Sequence, residues 1–560
     1  MASALTQAVI FDILSGVSAH LWLKVKEPTS LLTLFAALAV IPIPSIIFLR
    51  YADIAILHAV GVAYSVFLAT LLSSVVVYRI SPFHPLAKYP GPLAYKISKL
   101  WAVWKASGGK LHICYQELHQ EYGPIVRVGP NELSIIEEDL IPSILGTYGM
   151  PKGPLWDGRK ITPPSAKPTS DFNLIGNRDQ ARHAQLRKAW NKAFASSPIA
   201  DYEEILVRRA AQLVEHLDIL CKSAPNGVGR TDITHWINYF SFDFMGDIAF
   251  GGGFELMRDG DKDNIWHTME TALILPGLAQ HIPWSAKVLR ALPFVGSSTR
   301  TFGAFISQQA RRRASQEPKQ KDLFYHLLNA LDLQIDSSVS PLPFIFSNTA
   351  LAVIAGSDTT ASAISNTIYY LLSHPEYYSR LQKEIAHAVG PATELSLIDL
   401  SKLSALSFLN AVINETLRLQ PAVPTGLQRA PAIGSGGKLL GSIFIPEGTA
   451  VTVPPYALHR DPRYFSPNPD KFWPERWMKH DSDAKVVVNR GAFIPFSQGP
   501  ANCAGKTLAI LELRLVLALL IQRFDMAFDD GYDPAVWEQS LTDTFVFSKG
   551  KLPIKLTRRI

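Results

Sequence analysis

The N-terminal stretch constrains the fold more than any other feature of this chain. Residues 30–49, from Ser30 to Leu49, carry no charged side chain and are long enough to cross the hydrocarbon core of a bilayer. Residues 55–78 form a second such run, broken only by His58. Segments of this kind must satisfy their backbone groups internally, which in lipid means helix. Pro42 and Pro44 interrupt the first run and lower its quality as one helix. An earlier segment, Ala4 to Leu23, is weaker because Asp12 sits inside it; it either spans or lies in the interface. The start has no basic n-region and is followed by further apolar runs, so a cleaved signal is not expected. Lys24 and Lys26 precede the 30–49 run, and Arg79 and Lys88 follow the 55–78 run. The positive-inside rule places both basic groups in the cytosol, and two or three spans satisfy it equally.

Past this region the chain changes character. His84-Pro85-Leu86-Ala87-Lys88-Tyr89-Pro90-Gly91-Pro92 stops any helix, since proline fixes extended or turn geometry in itself and its neighbour. Composition then bounds the rest. The chain has 560 residues, 48% of them apolar, and a net charge of +6 that is spread out; no basic run reads as a nucleic-acid arm. Cys114, Cys221 and Cys503 are odd in number and far apart, which argues against a disulfide framework and fits a reducing compartment. Residues 122–135 read as two short strands around a Gly-Pro turn. Gly149 to Arg178, rich in Pro, Gly and Lys, reads as a long functional or disordered loop. The pattern elsewhere is mainly helical. Its longest run, about Pro343 to Ser373, far exceeds the mean helix of about 11–12 residues.

Four clusters within this domain carry chemistry. Phe493-Ile-Pro-Phe496-Ser-Gln-Gly499-Pro-Ala501-Asn-Cys503-Ala-Gly505-Lys506 leads a lone cysteine to the start of a helical pattern, where free backbone N–H groups and the dipole favour a thiolate. Gly499 and Gly505 supply turns, and Phe496 offers a ring to shield the sulfur. Ala355-Gly356-Ser357-Asp358-Thr359-Thr360 puts poor helix formers and polar groups in the middle of the long helix. A capped break between two helices is the plain alternative. Glu415 and Arg418 lie three apart on one helix face among apolar neighbours, with Arg476 a candidate third member of a buried pair. His183 and Arg187 share a face four apart.

The spacing F-x-x-G-x-x-x-C-x-G resembles the haem-binding loop of the cytochrome P450 family. The proline hinge, A-G-x-D-T-T, E-x-x-R and P-E-R occur in the family's order, so the resemblance covers about residues 82–560. It implies a mainly α domain with small β-sheets, the P450 fold, preceded by an N-terminal transmembrane region. The expected division is 1–79 anchor, 80–100 hinge and 101–560 catalytic domain. It implies haem b as cofactor, with Cys503 as axial iron ligand and Phe496, Gly499 and Gly505 shaping the loop. His183, Arg187, Arg429 and His459 match propionate contacts. Asp358 and Thr359 match the acid–alcohol pair that relays protons, on a helix that opens locally to admit oxygen. Glu415, Arg418 and Arg476 match the structural lock. Ala355, Gly356, Val423 and Thr425 fall where the family lines its substrate pocket, roofed by the 149–178 loop.

One position departs from the pattern. The loop usually carries Arg two residues before the Cys, and here stands Ala501; the other propionate contacts must take up the load. The reaction implied is monooxygenation of a lipophilic small molecule, a terpenoid or other secondary metabolite, with one atom of O2 entering a C–H bond. No flavin or nicotinamide motif accompanies it, so electrons are expected from NADPH-cytochrome P450 reductase, with cytochrome b5 as a further donor. Arg182, Lys188, Lys192 and Lys506 are the expected docking charges. The expected location is the endoplasmic reticulum membrane, with the catalytic domain in the cytosol. A reductase-free isomerase or peroxygenase, or a non-catalytic haem protein of the membrane, are the alternatives; neither accounts for an intact Asp358–Thr359 pair.

Overall fold

A computed structural model describes residues 2–25, 31–160, 173–292, 295–316, 321–331, 342–389, 400–478 and 486–559. By internal contacts the chain forms two compact units, residues 1–101 with 127–131, and residues 102–126 with 132–560. Lys26, Ser30 and the middle of the expected roof loop, 161–172, lie outside the described residues.

In the first unit, α1 (Ala2–Val25), α2 (Leu31–Val40), α3 (Ile43–Tyr51) and α4 (Ile56–Ile80) supply 3 apolar segments long enough to cross a membrane, with α2 and α3 counted as one from Leu32 to Tyr51. The break between α2 and α3 falls where the prolines demand it, with Pro42 capping α3 and Pro44 in its first turn. Asp12, the residue that weakened the first segment in the sequence, is fully buried inside the bundle, where it accepts a hydrogen bond from Ser45 Oγ at 2.8 Å. His20 Nδ1 pairs with Ser74 Oγ at 2.7 Å. Small residues bring the helices together: Ala59 and Ala63 are sealed, and a Cβ on Gly16 would meet Phe67 O and Thr70 Cβ at 3.0 Å. Leu14, Leu32, Leu57 and Leu72 point outward. Pro90 and Gly91 also belong to this unit. Gly91 has φ 149°, and its Cα faces the Arg127 carbonyl so closely that a side chain has no room.

The second unit is helical with small sheets. The two strands expected around the Gly-Pro turn form as β1 (Ile125–Gly129), of which residues 127–129 belong to the first unit, and β2 (Glu132–Ile135). With β3 (Val228–Asp232), β4 (Leu427–Arg429) and β5 (Ala450–Val453) they frame the helices; β2 runs parallel to β5 with Leu133 opposite Val451, and β4 antiparallel to β5 with Leu427 opposite Val453. Near the C-terminus β6 (Phe524–Phe528), the two-residue strands β7 (Thr542–Asp543) and β8 (Phe547–Ser548), and β9 (Pro553–Arg558) follow; β9 lies between β6 and β3.

The helices that build the site are α5 (Leu155–Gly158), α6 (Gln180–Ala193), α7 (Ser196–Ser223), α8 (Ile233–Phe250), α9 (Ile265–Ala279), α10 (Leu342–Ser373), α11 (Pro375–Val389), α12 (Ser407–Leu419) and α13 (Lys506–Arg523). Helices α7, α8, α10, α12 and α13 share one core in which Phe240, Phe244, Ile364, Leu409, Leu517 and Leu520 are sealed from solvent. α13 is apolar on nearly every face, as a helix enclosed by others must be. α10 is one unbroken helix, so the capped break is ruled out. Its hydroxyls bond their own backbone instead: Ser357 Oγ to Val353 O at 2.5 Å, Thr359 Oγ1 to Ala355 O at 2.6 Å, and Thr360 Oγ1 to Gly356 O at 2.6 Å.

Candidate active site

The cysteine loop is built by its own backbone. Cys503 N–H donates to Phe496 O at 2.9 Å and Asn502 N–H to Gly499 O at 3.0 Å. Gly499 adopts φ 72° and packs against the backbone of Leu145 and Gly146. Gly505 caps α13, and Phe496 is half-buried at the edge of the core. Cys503 itself is exposed although protein surrounds it on every side, so its side chain faces an enclosed space. The helix start does not win the contest for its proton. Burial raises the thiol, and the Gly505 N–H with the charges of Arg187 and Lys506 only partly opposes it. A bound metal ion, rather than the dipole, would make the thiolate.

Beside this loop stands a wall of cations. Arg187 on α6 grips Asn502 twice, through the main-chain oxygen and through Oδ1 at 2.6 Å, while its Nε donates to Asn191 Oδ1 at 2.7 Å. His183, one turn away, is buried; burial and the neighbouring charges of Lys152, Arg187 and Arg429 push its pKa down to about 3, so the ring is neutral. Arg429 at the end of β4 is buried and donates to Gln428 O at 3.1 Å, and burial brings its pKa down to about 10. The fourth member is Lys152, which the motifs did not flag. Its Nζ donates to Leu174 O at 2.9 Å and Ile175 O at 2.7 Å, and burial together with Arg429 and Arg187 holds its pKa far below normal. Residue 152 also bridges Arg429 in antiparallel pairing. Among the described residues no carboxylate lies within ion-pair distance of Lys152, Arg187 or Arg429. Basic groups so arranged, with Lys152 and Arg429 buried and Arg187 half-buried, suit an anion from outside the chain.

His459 does not belong to this wall. It is fully buried, its Nδ1–H donates to Arg418 O at 3.1 Å, and its Nε2 accepts from Ile494 N–H at 3.0 Å. Both ring nitrogens are used, so the expected propionate contact is corrected to a brace between α12 and the cysteine loop. Its neighbour in that brace is the expected lock. Glu415 Oε2 and Oε1 accept from Arg418 Nε and Nη2, both at 2.8 Å, and Oε1 accepts from Arg476 Nε at 3.0 Å. Trp473 N–H and Trp477 Nε1–H complete the carboxylate at 2.9 Å each. Burial would raise Glu415, but the Arg418 hydrogen bonds and both guanidinium charges hold it below its usual value.

Helix α10 carries the A-G-x-D-T-T residues. Ala355 is exposed in the middle of this largely buried helix. Gly356 does not: a Cβ there would run into Met245 Sδ and Cε on α8 at 2.5 and 2.8 Å, so its role is helix packing and not pocket lining. Asp358 is buried, which raises its carboxyl pKa, and is opposed by Lys549, whose Nζ lies 3.6 Å from Oδ1. Glu270 on α9 feels both charges and is itself raised by burial. Thr360, next to Thr359, is bonded to Glu512 of α13 at 2.9 Å; Ser241 Oγ of α8 donates to the same Oε1 at 3.1 Å. Burial pushes Glu512 up to about 8, so it is a neutral acid at pH 7. α6 closes the ring: Arg187 holds the cysteine loop, and Trp190 Nε1 donates to Asn348 Oδ1 of α10 at 2.9 Å. Thr425 Oγ1 donates to Asp543 Oδ2 at 2.7 Å, and Val423 packs on the Leu155–Trp156–Phe545 cluster.

An enclosed cysteine, a cationic wall beside it and a polar stripe on α10 fit a flat, doubly anionic cofactor with a metal centre, and so define a haem-thiolate protein. The comparisons agree. The family model described as Cytochrome P450 matches residues 90–557. The chain is 32% identical over 491 residues to the cytochrome P450 monooxygenase FCK2 of Fusarium pseudograminearum, covering 87% of this chain and 85% of that protein. It is 33% identical over 489 residues to cytochrome P450 67 of Uromyces fabae, with 84% and 86% covered. It is 31% identical over 505 residues to the tryprostatin B 6-hydroxylase of Aspergillus fumigatus, with 89% and 85% covered. The chain belongs to the cytochrome P450 family. It is an oxidoreductase of the monooxygenase type, which takes O2, a substrate and a redox partner.

Proposed function

We propose that the chain binds haem b with Cys503 as the axial thiolate and hydroxylates a lipophilic secondary metabolite, such as a terpenoid. The observation that carries this reading is the enclosed but exposed Cys503 beside cations with no internal anion. Lys152, Arg187 and Arg429 would hold the propionates by charge, and neutral His183 would add a ring N–H. Lys152 and the Arg187–Asn502 clamp then stand in for the arginine absent at Ala501. The bound haem supplies activation of O2, favoured by the electron-rich thiolate.

The chain's own part is orientation and proton control. Asp358 and Thr359 form the relay. Asp358 draws its proton in a setting where burial favours the neutral acid and Lys549 favours the anion, so its charge is poised between them. Thr359 keeps its hydroxyl proton on Ala355 O until it turns toward the pocket. Ala355, Val423 and Thr425 border the substrate. Glu415, Arg418 and Arg476 hold the frame behind the loop.

Residues 1–79 serve as the anchor, 80–100 as the hinge and 101–560 as the catalytic domain. Three spans, with Asp12 turned inward, fit an endoplasmic reticulum membrane with the catalytic domain in the cytosol. Electrons come from NADPH-cytochrome P450 reductase, with cytochrome b5 as a second donor. The purified chain, reduced under carbon monoxide, should give the thiolate-type Soret band, and Cys503→Ser should lose it. A variant that kept the band would overturn the assignment.

A further inference from the structure

Arg159 follows the last turn of α5 and is unlike the cations of the wall. Protein surrounds it on every side, yet part of its side chain stays accessible, so the guanidinium faces enclosed space. A guanidinium carries five N–H donors. Among the described residues, one bond is made: Nη1 donates to Gln280 Oε1 at 2.9 Å. Its flat face lies on Phe545, with Cζ 3.9 Å from the ring centroid. Burial lowers its pKa to about 10, so it is charged at neutral pH.

Among the described residues, the acids nearby are engaged elsewhere. Asp157 is shared by Lys160 and Arg178. Asp543 forms no ion pair with Arg159 among the described residues, although each feels the other's charge; it accepts from Thr425 Oγ1 at 2.7 Å and Phe545 N–H at 3.1 Å.

The surroundings are those of a ligand pocket: apolar walls and one fixed charge. Trp156 meets Phe545 edge-on at 5.4 Å, and Leu155, Val423 and Val546 pack with them. The cation is held in place by its backbone. A Cβ on Gly158 has no room beside Ala279 O and Gln280 Cα, so α5 lies directly on the end of α9.

We propose that Arg159 recognises a carboxylate on the substrate, so that the enzyme takes lipophilic acids in preference to neutral lipophiles of the same shape. The free edge of the guanidinium matches a carboxylate in charge and in fork geometry. Gln280 and Phe545 fix that edge without neutralising it. The proposal rests on the monooxygenase reading and names the substrate class of that site.

The test uses the full-length holoenzyme and two matched pairs of probes, dodecanoic acid with dodecanol and abietic acid with abietinol. Binding is read as the substrate-induced shift of the Soret band and independently by calorimetry. At least one acid should bind about tenfold or more tighter than its alcohol, the scale of one charge-assisted contact. Arg159→Leu and Arg159→Gln should abolish that preference while leaving alcohol affinity, haem content and the carbon monoxide band unchanged. Arg159→Lys should keep part of it. Equal affinity for acid and alcohol, no acid binding in either pair, or a preference that survives both variants would overturn the proposal. Loss of haem in Arg159→Gln would overturn it too, by assigning Arg159 to the cofactor. Failure of the wild-type chain to give the thiolate band is a different failure, that of the monooxygenase reading.

Discussion

Thr360 has one hydroxyl proton and two close acceptors, Gly356 O at 2.6 Å and Glu512 Oε1 at 2.9 Å. When that proton goes to the shorter contact, Glu512 must bring its own, which agrees with a pKa raised by burial to about 8. This has a sign. The folded value lies above the ordinary 4.5, so the native state holds a proton that the unfolded chain releases. Stability from this group is intact below about pH 4.5 and is lost as pH rises through about 8. Glu512→Gln should flatten that part of a melting-temperature profile against pH. Glu512→Ala should leave two buried hydroxyls short of a partner and lower stability by about 1–3 kcal/mol. Lys152 gives a second prediction. Lys152→Met should speed haem loss to a scavenger such as apomyoglobin, and adding Ala501→Arg should slow it again. Neither Glu512 nor Lys152 was legible in the sequence. Their neighbours come from segments far away in the chain, and no local pattern records that a lone Glu in an apolar helix faces two hydroxyls. His459 shows the converse: its motif pointed to the cofactor, but its surroundings occupy both nitrogens.

Elements were easier to read than single contacts. The long helix was expected over about 343–373 and runs Leu342–Ser373, because a sustained apolar pattern outweighs a few poor helix formers. Glu415 and Arg418 were legible as a pair because three-residue spacing on a helix implies contact. Arg476, from a separate segment, meets the same carboxylate at 3.0 Å. Glu415→Gln should be far more damaging than a surface charge loss, at about 3–5 kcal/mol, because two buried guanidinium groups lose their one counter-charge. The yield of haem-loaded, protease-resistant enzyme checks it. Gly356 was read as a pocket residue, yet its lack of a side chain serves the crossing of α8 and α10 at Met245. A glycine's sequence does not say which neighbour comes close.

At the scale of the whole molecule the exposed charges near the cysteine loop bear on electron supply. Lys188, Lys192 and Lys506 are exposed, and Arg182 is half-buried beside them in sequence. Reversing these four charges should cut reductase-driven NADPH consumption and abolish or invert its fall with added salt, while the carbon monoxide band stays intact. Unchanged turnover would exclude this face as the docking surface. The anchor was legible as apolar runs, but the place of Asp12 was not, since hydropathy cannot tell an inward carboxylate bonded to Ser45 from a lipid-facing one. The cation wall has one more consequence. Lys152 feels the charges of Arg429 and Arg187, which with burial hold its pKa far below normal, so a dianion bound there would restore its proton. Cofactor arrival is then part of maturation, and in a foreign host the supply of porphyrin, rather than of messenger or ribosomes, should set how much usable enzyme accumulates.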